Sequence, residues 1–341
     1  MLQLLNHTPW QAGMFSGWGL DGRHHYTAVV KANFRFSADG SLQPDAAALP
    51  LEVADRHAGA PHGSSLAAAA DSVPFKQGGE FFLSGTAWAP ADGSRQQPVR
   101  VAVHRDDQLL CEKNLVVHGP RKWVRRALNV APVYEGEFEA LPISYEAAYG
   151  GSRAGGVYEA NPVGCGYLTK HDDSEGRPLP RIEYADQGIT SPADRPAPAG
   201  FGPIPRFWQP RRGLLEAGAE GLIELDSPFV EHAHPAMHNA APADQQLPAG
   251  FAGGEVFSIT GLHCPVAQGE AAEVRLALPR LPLHAVMIRS GGEREPITGC
   301  CDTVAIDLNE AVLSLTWRWS APWPLSETRP GWLELHSGEP A

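Results

Sequence analysis

The sequence contains no run of about 18 apolar residues, the length a membrane-spanning helix needs, so no membrane insertion is expected. Its first ten residues, MLQLLNHTPW, lack a basic stretch followed by an apolar core, and no signal peptide is expected. Cysteines are few: Cys111, Cys165, Cys264, Cys300 and Cys301, with no CxxC spacing. An odd, irregular set argues against a disulfide framework. Cys300 and Cys301 would face opposite ways on a strand and so would not share a metal. Buried thiols in a reducing compartment, the cytoplasm, are the expectation. Basic residues are also scarce, with 27 Lys and Arg against 39 Asp and Glu, for a net charge of −12. Such a chain repels phosphate backbones, which argues against nucleic-acid binding. The one dense basic run, RKWVRR at 121–126, reads equally well as a solvated strand end.

What the chain does have is turn chemistry. Its 36 glycines and 31 prolines make up about a fifth of 341 residues, and 43% of the chain is hydrophobic. That composition predicts a folded protein with many turns and few long helices. HHYTAVVKANFRF alternates, with Tyr26, Ala28, Val30, Ala32, Phe34 and Phe36 on one face and Lys31, Asn33 and Arg35 on the other. This is the period-two pattern of a half-buried strand. EFFLSGTAW, PVRVAVH and QLLCEKNLVVHG continue the theme, while SSLAAAAD at 64–71 predicts one or two helical turns. The last third is again β, with VFSITGLH, AEVRLALP, LHAVMIR, DTVAIDL and VLSLTWRW as short strands. Leu313, Leu315, Trp317 and Trp319 would line one face of the last of these.

The middle of the chain differs. AYGGSRAGG, NPVGCGY and PADRPAPAGFGPIPRFWQP are crowded with Gly and Pro, and only RRGLLEAGAEGLI suggests a short helix. The expectation is therefore a mainly β protein of antiparallel sheets, sandwich or barrel-like, with a long irregular central segment. The regions divide as 1–145, 146–250 and 251–341, and the first and last are able to form one continuous domain.

Catalytic signals are weak. His232, His234 and His238 lie close together and could supply three imidazoles to zinc, the basis of a metal-dependent hydrolase reading. The spacing matches no helical HExxH motif, and Pro235 would break a helix there. The serines of GSS at 63–65 and of AAYGGS lie outside any strand–GxSxG–helix elbow. AYGGSRAGG has the glycines of a phosphate loop without its GKS or GKT ending. More prominent are Tyr149, Tyr167, Phe201, Phe207 and Trp208, set between Gly and Pro in the central segment. Rigid loops carrying aromatics and Arg are common material of protein-binding surfaces. A flat aromatic platform would instead mark a carbohydrate-binding β module.

The motifs NHTPW, DSVPFKQGGEFFLSGTAWAP, GPRKW, SYEAAYGG, NPVGCGY, LPRIE, PAGFGPIPRFW, NAAPADQQL and CDTVAIDL run in order along nearly the whole chain. Together the chain resembles the bacterial DUF 2169 family, whose members look like adaptors or chaperones for type VI secretion effectors. Gly119-Pro120-Arg121 departs from the family's Gly-Asp-Arg, and the histidines before NAAP are not a family feature. The resemblance implies a cytoplasmic, non-enzymatic protein without cofactor. Its partners would be a secreted effector (a toxin) and the VgrG/PAAR spike. Tyr149, Asn161, Tyr167, Trp208 and Gln245, and then Arg121 and Trp123, are the candidate partner-binding residues.

Overall fold

A computed structural model of the chain describes residues 2–19, 21, 23–127, 129–136, 138–170, 172–214, 234–267, 273–324 and 326–338. The architecture is mainly β, built on three larger sheets; among the described residues the helical pieces are short 3-10 turns and an α-helical stretch at 211–214. The largest sheet has seven strands. Its path runs Gln246–Leu247, Gly79–Ser84, Gly299–Asp307, Val312–Pro322, His24–Phe36 and Gln11–Trp18, with Leu42–Pro44 pairing beside His24–Phe36. Pairing is antiparallel except where Gly299–Asp307 runs parallel to Gly79–Ser84. A five-stranded antiparallel sheet follows the order Ile182–Tyr184, Gln108–His118, Gln96–Arg105, Val256–Thr260, Val274–Ala277. A four-stranded sheet joins Leu2–Asn6 to Gly331–Ser337, Leu283–Ile288 and Arg294–Ile297. Strands from the two ends of the chain thus lie side by side in the same sheets.

One apolar core runs through all three sheets, with Phe34, Phe81, Val101, Phe257, Ile306, Leu315, Met287 and Leu335 buried in it. Phe81 and Phe257 meet edge-on at 5.4 Å between ring centres, linking the seven- and five-stranded sheets. Each such fully buried side chain contributes about 1.5–3 kcal/mol relative to exposure.

The two central strands are buried on both faces, not one. Along His24–Phe36 every residue from Thr27 to Phe34 is buried, and Val312–Pro322 is buried likewise from Val312 to Trp319. The reason is a segment of chain, residues 45–74, laid over the second face. Thr27 donates to the Pro74 carbonyl at 3.0 Å, Lys31 to Asp71 at 2.9 Å, and Asn33 to the Leu49 carbonyl at 2.8 Å. Arg318 donates to the carbonyls of Asp71 and Val73, each at 2.6 Å. The polar residues that read as solvent-facing are therefore covered, and Thr27, Asn33 and Arg318 donate to backbone carbonyls while Lys31 pairs with a carboxylate.

Residues 64–71 are not helical. Leu66–Ala68 is a short strand paired with Arg56–His57. The alanines favour helix, but Ser65 is tied by its N–H and hydroxyl to Glu146, at 2.7 and 3.0 Å, which fixes an extended path. Most of the expected helix over 211–223 lies outside the described residues. Gly299–Asp307 places Cys300 at the surface and Cys301 in the core, on opposite faces. No helix among the described residues is long and apolar enough to cross a membrane.

Candidate functional site

The Gly/Pro-rich motifs fold onto one another through polar side chains aimed at backbone. Asn161, fully buried, donates through Nδ2 to the carbonyls of Tyr145 (2.7 Å) and Tyr149 (3.0 Å). Its own carbonyl accepts from Gly151 at 2.8 Å. This close approach is why glycine stands at 150 and 164: a Cβ on either would collide with Asn161. Gln245 does the same work further on, donating to the Phe81 carbonyl (2.8 Å) and the Phe201 carbonyl (3.0 Å). Its Oε1 accepts from Lys113 Nζ at 2.7 Å, and Lys113 also reaches Asp244 at 3.0 Å. Burial pushes the Lys113 ammonium down to about 8, against the opposing pull of Asp244.

The seven candidate contact residues are placed as follows. Tyr149, Asn161, Trp208, Gln245, Arg121 and Trp123 are all buried, and Tyr167 alone is half-buried. Tyr149 packs edge-on against Tyr158 at 4.9 Å, Tyr158 tilts against Tyr167 at 5.9 Å, and the Arg195 guanidinium lies 5.6 Å over the Tyr167 ring. Together with Trp123, Leu168, Leu179 and Ile189 these rings form a second, smaller core. Trp208 packs edge-on against Tyr145 at 5.9 Å. The six buried side chains therefore hold the loops in shape and present no surface to a partner. In the central segment Phe207 is exposed, 77% accessible, one residue from the buried Trp208; outside it, Trp88 is exposed as well. Composition alone carries no signal for which of the two adjacent rings turns outward.

Three of the four cations in the basic run at 121–126 are ion-paired within the chain. Arg121 pairs with buried Glu183, Lys122 with Glu135 at 2.6 Å, and Arg125 with Asp173 at 3.0 Å. Burial raises the Glu183 carboxyl, but hydrogen bonds and charge from His118 and Arg121 outweigh it and hold the group below its usual range.

Of the histidine set, His232 lies outside the described residues. His234 is exposed and its Nδ1 accepts from the Ala236 N–H at 3.3 Å. His238 is buried edge-on against Phe75 at 4.7 Å. Burial, reinforced by Arg206, Arg211, Arg318 and Lys76, pushes it down to about 4, so it is neutral near pH 7. Among the described residues no group of three or more His, Cys, Asp or Glu is placed to hold a metal ion. Ser64 donates to the Ala60 carbonyl at 3.0 Å and Ser65 to Glu146 at 3.0 Å.

The loops that these anchors fix enclose a cleft of about 840 Å³. One wall comes from Gln108–His118 and from the end of edge strand Ile182–Tyr184 with the following Asp186 and Gln187. The opposite wall comes from Tyr158, Pro198, Gln209, Pro210 and the turn Pro242–Asp244. Four separate central motifs thus converge on one concavity. Its lining carboxylates are Glu112, Asp186 and Asp244 against Lys113; Glu112 is paired with Arg100 at 2.6 Å and Asp244 with Lys113 at 3.0 Å, so the lining is acidic by a small margin that rests on Asp186. A second cavity, about 480 Å³, lies between the seven-stranded sheet and the covering segment.

Stacked antiparallel sheets with a cleft walled by long, stiff loops define the class. The chain belongs to the bacterial family described as "Uncharacterized protein conserved in bacteria (DUF2169)", whose model matches residues 21–318. No curated protein and no solved structure matches the chain significantly.

Proposed function

We propose that the protein is a non-enzymatic adaptor that holds a type VI secretion effector in the cytoplasm and helps load it onto the VgrG/PAAR spike. The observation that carries this reading is the acidic 840 Å³ cleft onto which the central-segment motifs converge. Its size falls in the range of sites that bury a ligand of several residues. Its walls combine tyrosine, proline and amide side chains with carboxylates, suited to an extended, basic stretch of polypeptide. The resemblance to effector adaptors supplies the identity of the cargo.

Two further features support a polypeptide ligand. Gln11–Trp18 ends the seven-stranded sheet with a single neighbour, so alternate backbone groups along its eight residues point away from the sheet. Such an edge accepts an added strand. Phe207 stands exposed two residues before Gln209 of the cleft wall, an apolar anchor beside an acidic slot. A stable complex would bury on the order of 1,200–2,000 Å² in all. Release then follows from competition by the spike.

Deleting the gene and measuring export of the effector encoded beside it tests the reading. Export and effector solubility should both fall. Unchanged export and solubility would remove the adaptor from the pathway.

A further inference from the structure

The 480 Å³ cavity beneath the covering segment is lined on its floor by Lys31, Thr303, Ile306 and Thr316 of the seven-stranded sheet, all buried. Leu49, Leu66, Leu83 and Phe201 add apolar wall. Arg56, Ala58 and Ala67 at its margin are exposed, so the space opens to solvent. Three cations line it, and each is already matched: Lys31 with Asp71 at 2.9 Å, Arg56 with Glu52 at 2.8 Å, and Lys76 with Glu80 at 2.5 Å. Two carboxylates remain, Glu146 and Asp307. Asp307 accepts from the Asn309 and Glu310 N–H groups, and Glu146 from the Ser65 N–H and hydroxyl, with further hydrogen bonds from Ser144 and its own backbone N–H. Neither has a cation among the described residues. Burial raises the Glu146 carboxyl, but the bonds from Ser65 outweigh it and keep it ionised near pH 7.

Hydrogen bonds satisfy the Glu146 oxygens, but no cation among the described residues neutralises its charge in this apolar-walled space. The chemistry that complements it is a cationic head on an aliphatic stem. We propose that this cavity receives one Arg or Lys side chain of the bound polypeptide, with its stem along Leu66, Leu83 and Phe201 and its head at Glu146. The occupant's being a polypeptide rests on the adaptor reading; the charge and shape of the guest rest on the cavity. Asp307 adds to the negative potential, and the net charge of −12 steers a basic segment toward it.

The test titrates the full chain with Nα-acetyl-arginine methylamide, with the uncharged Nα-acetyl-norleucine methylamide, and with agmatine as a free guanidine. Saturable arginine binding, about tenfold tighter than norleucine, is expected. Glu146→Gln keeps an acceptor for Ser65 and should lose that tenfold preference with little change in thermal midpoint. Ala69→Phe leaves the carboxylate in place and fills the space, and should block both amides. Equal binding of arginine and norleucine, or a Glu146→Gln variant that binds arginine as wild type does, would overturn the assignment. Agmatine binding tenfold tighter than the blocked arginine would make the guest a free amine and overturn the polypeptide assignment. Effector pull-down separates the two readings. Capture by wild type that Glu146→Gln leaves untouched defeats the cavity inference and spares the adaptor. Failure of wild type to capture defeats the adaptor, while the arginine titration still judges the cavity.

Discussion

Replacing Lys113 by methionine removes a buried charge that holds the cleft wall together. The ammonium donates to Asp244 and Gln245 and lies 5.1 Å from the Tyr184 ring and 5.4 Å from that of Phe201. Burial lowers it from an ordinary 10.5 to about 8, so the unfolded chain holds this proton more tightly than the folded one. Stability therefore rises with pH from about 8 to about 10.5 as the unfolded state's advantage is lost. Between pH 7 and pH 10 the rise is on the order of 2 kcal/mol. Above pH 10 the buried tyrosines act in the opposite direction, since burial pushes Tyr149 up to about 12 and Tyr145 and Tyr184 higher still. Burial likewise raises the thiols of Cys111, to about 11, and of Cys165, Cys300 and Cys301, so from about pH 9 these groups also oppose the rise, in wild type and variant alike. At pH 7 two effects of Lys113→Met oppose each other: the buried charge disappears, but Gln245 Oε1 loses its donor at a cost of about 1–3 kcal/mol. The pH slope, not the midpoint at one pH, is diagnostic. Urea unfolding followed by tryptophan fluorescence at pH 7, 8, 9 and 10 reads it. From pH 7 to pH 10 the difference in unfolding free energy between wild type and Lys113→Met should shift by about 2 kcal/mol in favour of wild type. The same pH dependence in both proteins would refute the assignment of this difference to Lys113.

His238 acts with the same sign in a lower window: its folded value of about 4 lies below the ordinary 6.5, so stability is full above pH 6.5 and falls as pH drops toward 4. His238→Phe should lessen the acid loss of stability, measured as the difference in unfolding free energy between pH 7 and pH 4.5. Arg121→Met leaves Glu183 buried without its guanidinium and should cost about 3–5 kcal/mol in chemical denaturation. Asn161→Ala removes the side-chain donor to the Tyr149 carbonyl and one of two donors to the Tyr145 carbonyl, which keeps the Ala148 N–H, and should cost about 1–3 kcal/mol, with the loss read in thermal midpoint.

The strands were legible because alternation is a local property. Tyr26 to Phe36 and Leu313 to Trp319 show it over enough residues to fix strand type. That both faces are covered was not legible. Lys31, Asn33, Thr316 and Arg318 look solvent-facing, and their partners come from a segment with no pattern of its own. The central motifs drew notice for the right residues but not their role. Asn161 and Gln245 are polar and loop-borne, as contact residues are, yet both are spent on backbone carbonyls. Trp208 and Phe207 are neighbours of equal hydrophobic character, and only packing against Tyr145 decides which is inside. The cleft draws on residues from Glu112 to Asp244, so no single stretch of sequence contains it.

The most direct measurement is reconstitution of purified protein with its neighbouring effector, comparing wild type with a cleft-blocked variant. Asp186→Arg combined with Ala243→Trp alters exposed positions of opposite walls and spares the buried anchors. Wild type should form a stable complex on gel filtration, and the variant, with an unchanged thermal midpoint, should lose at least about tenfold in affinity. Equal binding by both proteins would contradict the cleft as the docking site, and absence of any complex with wild type would contradict the adaptor itself.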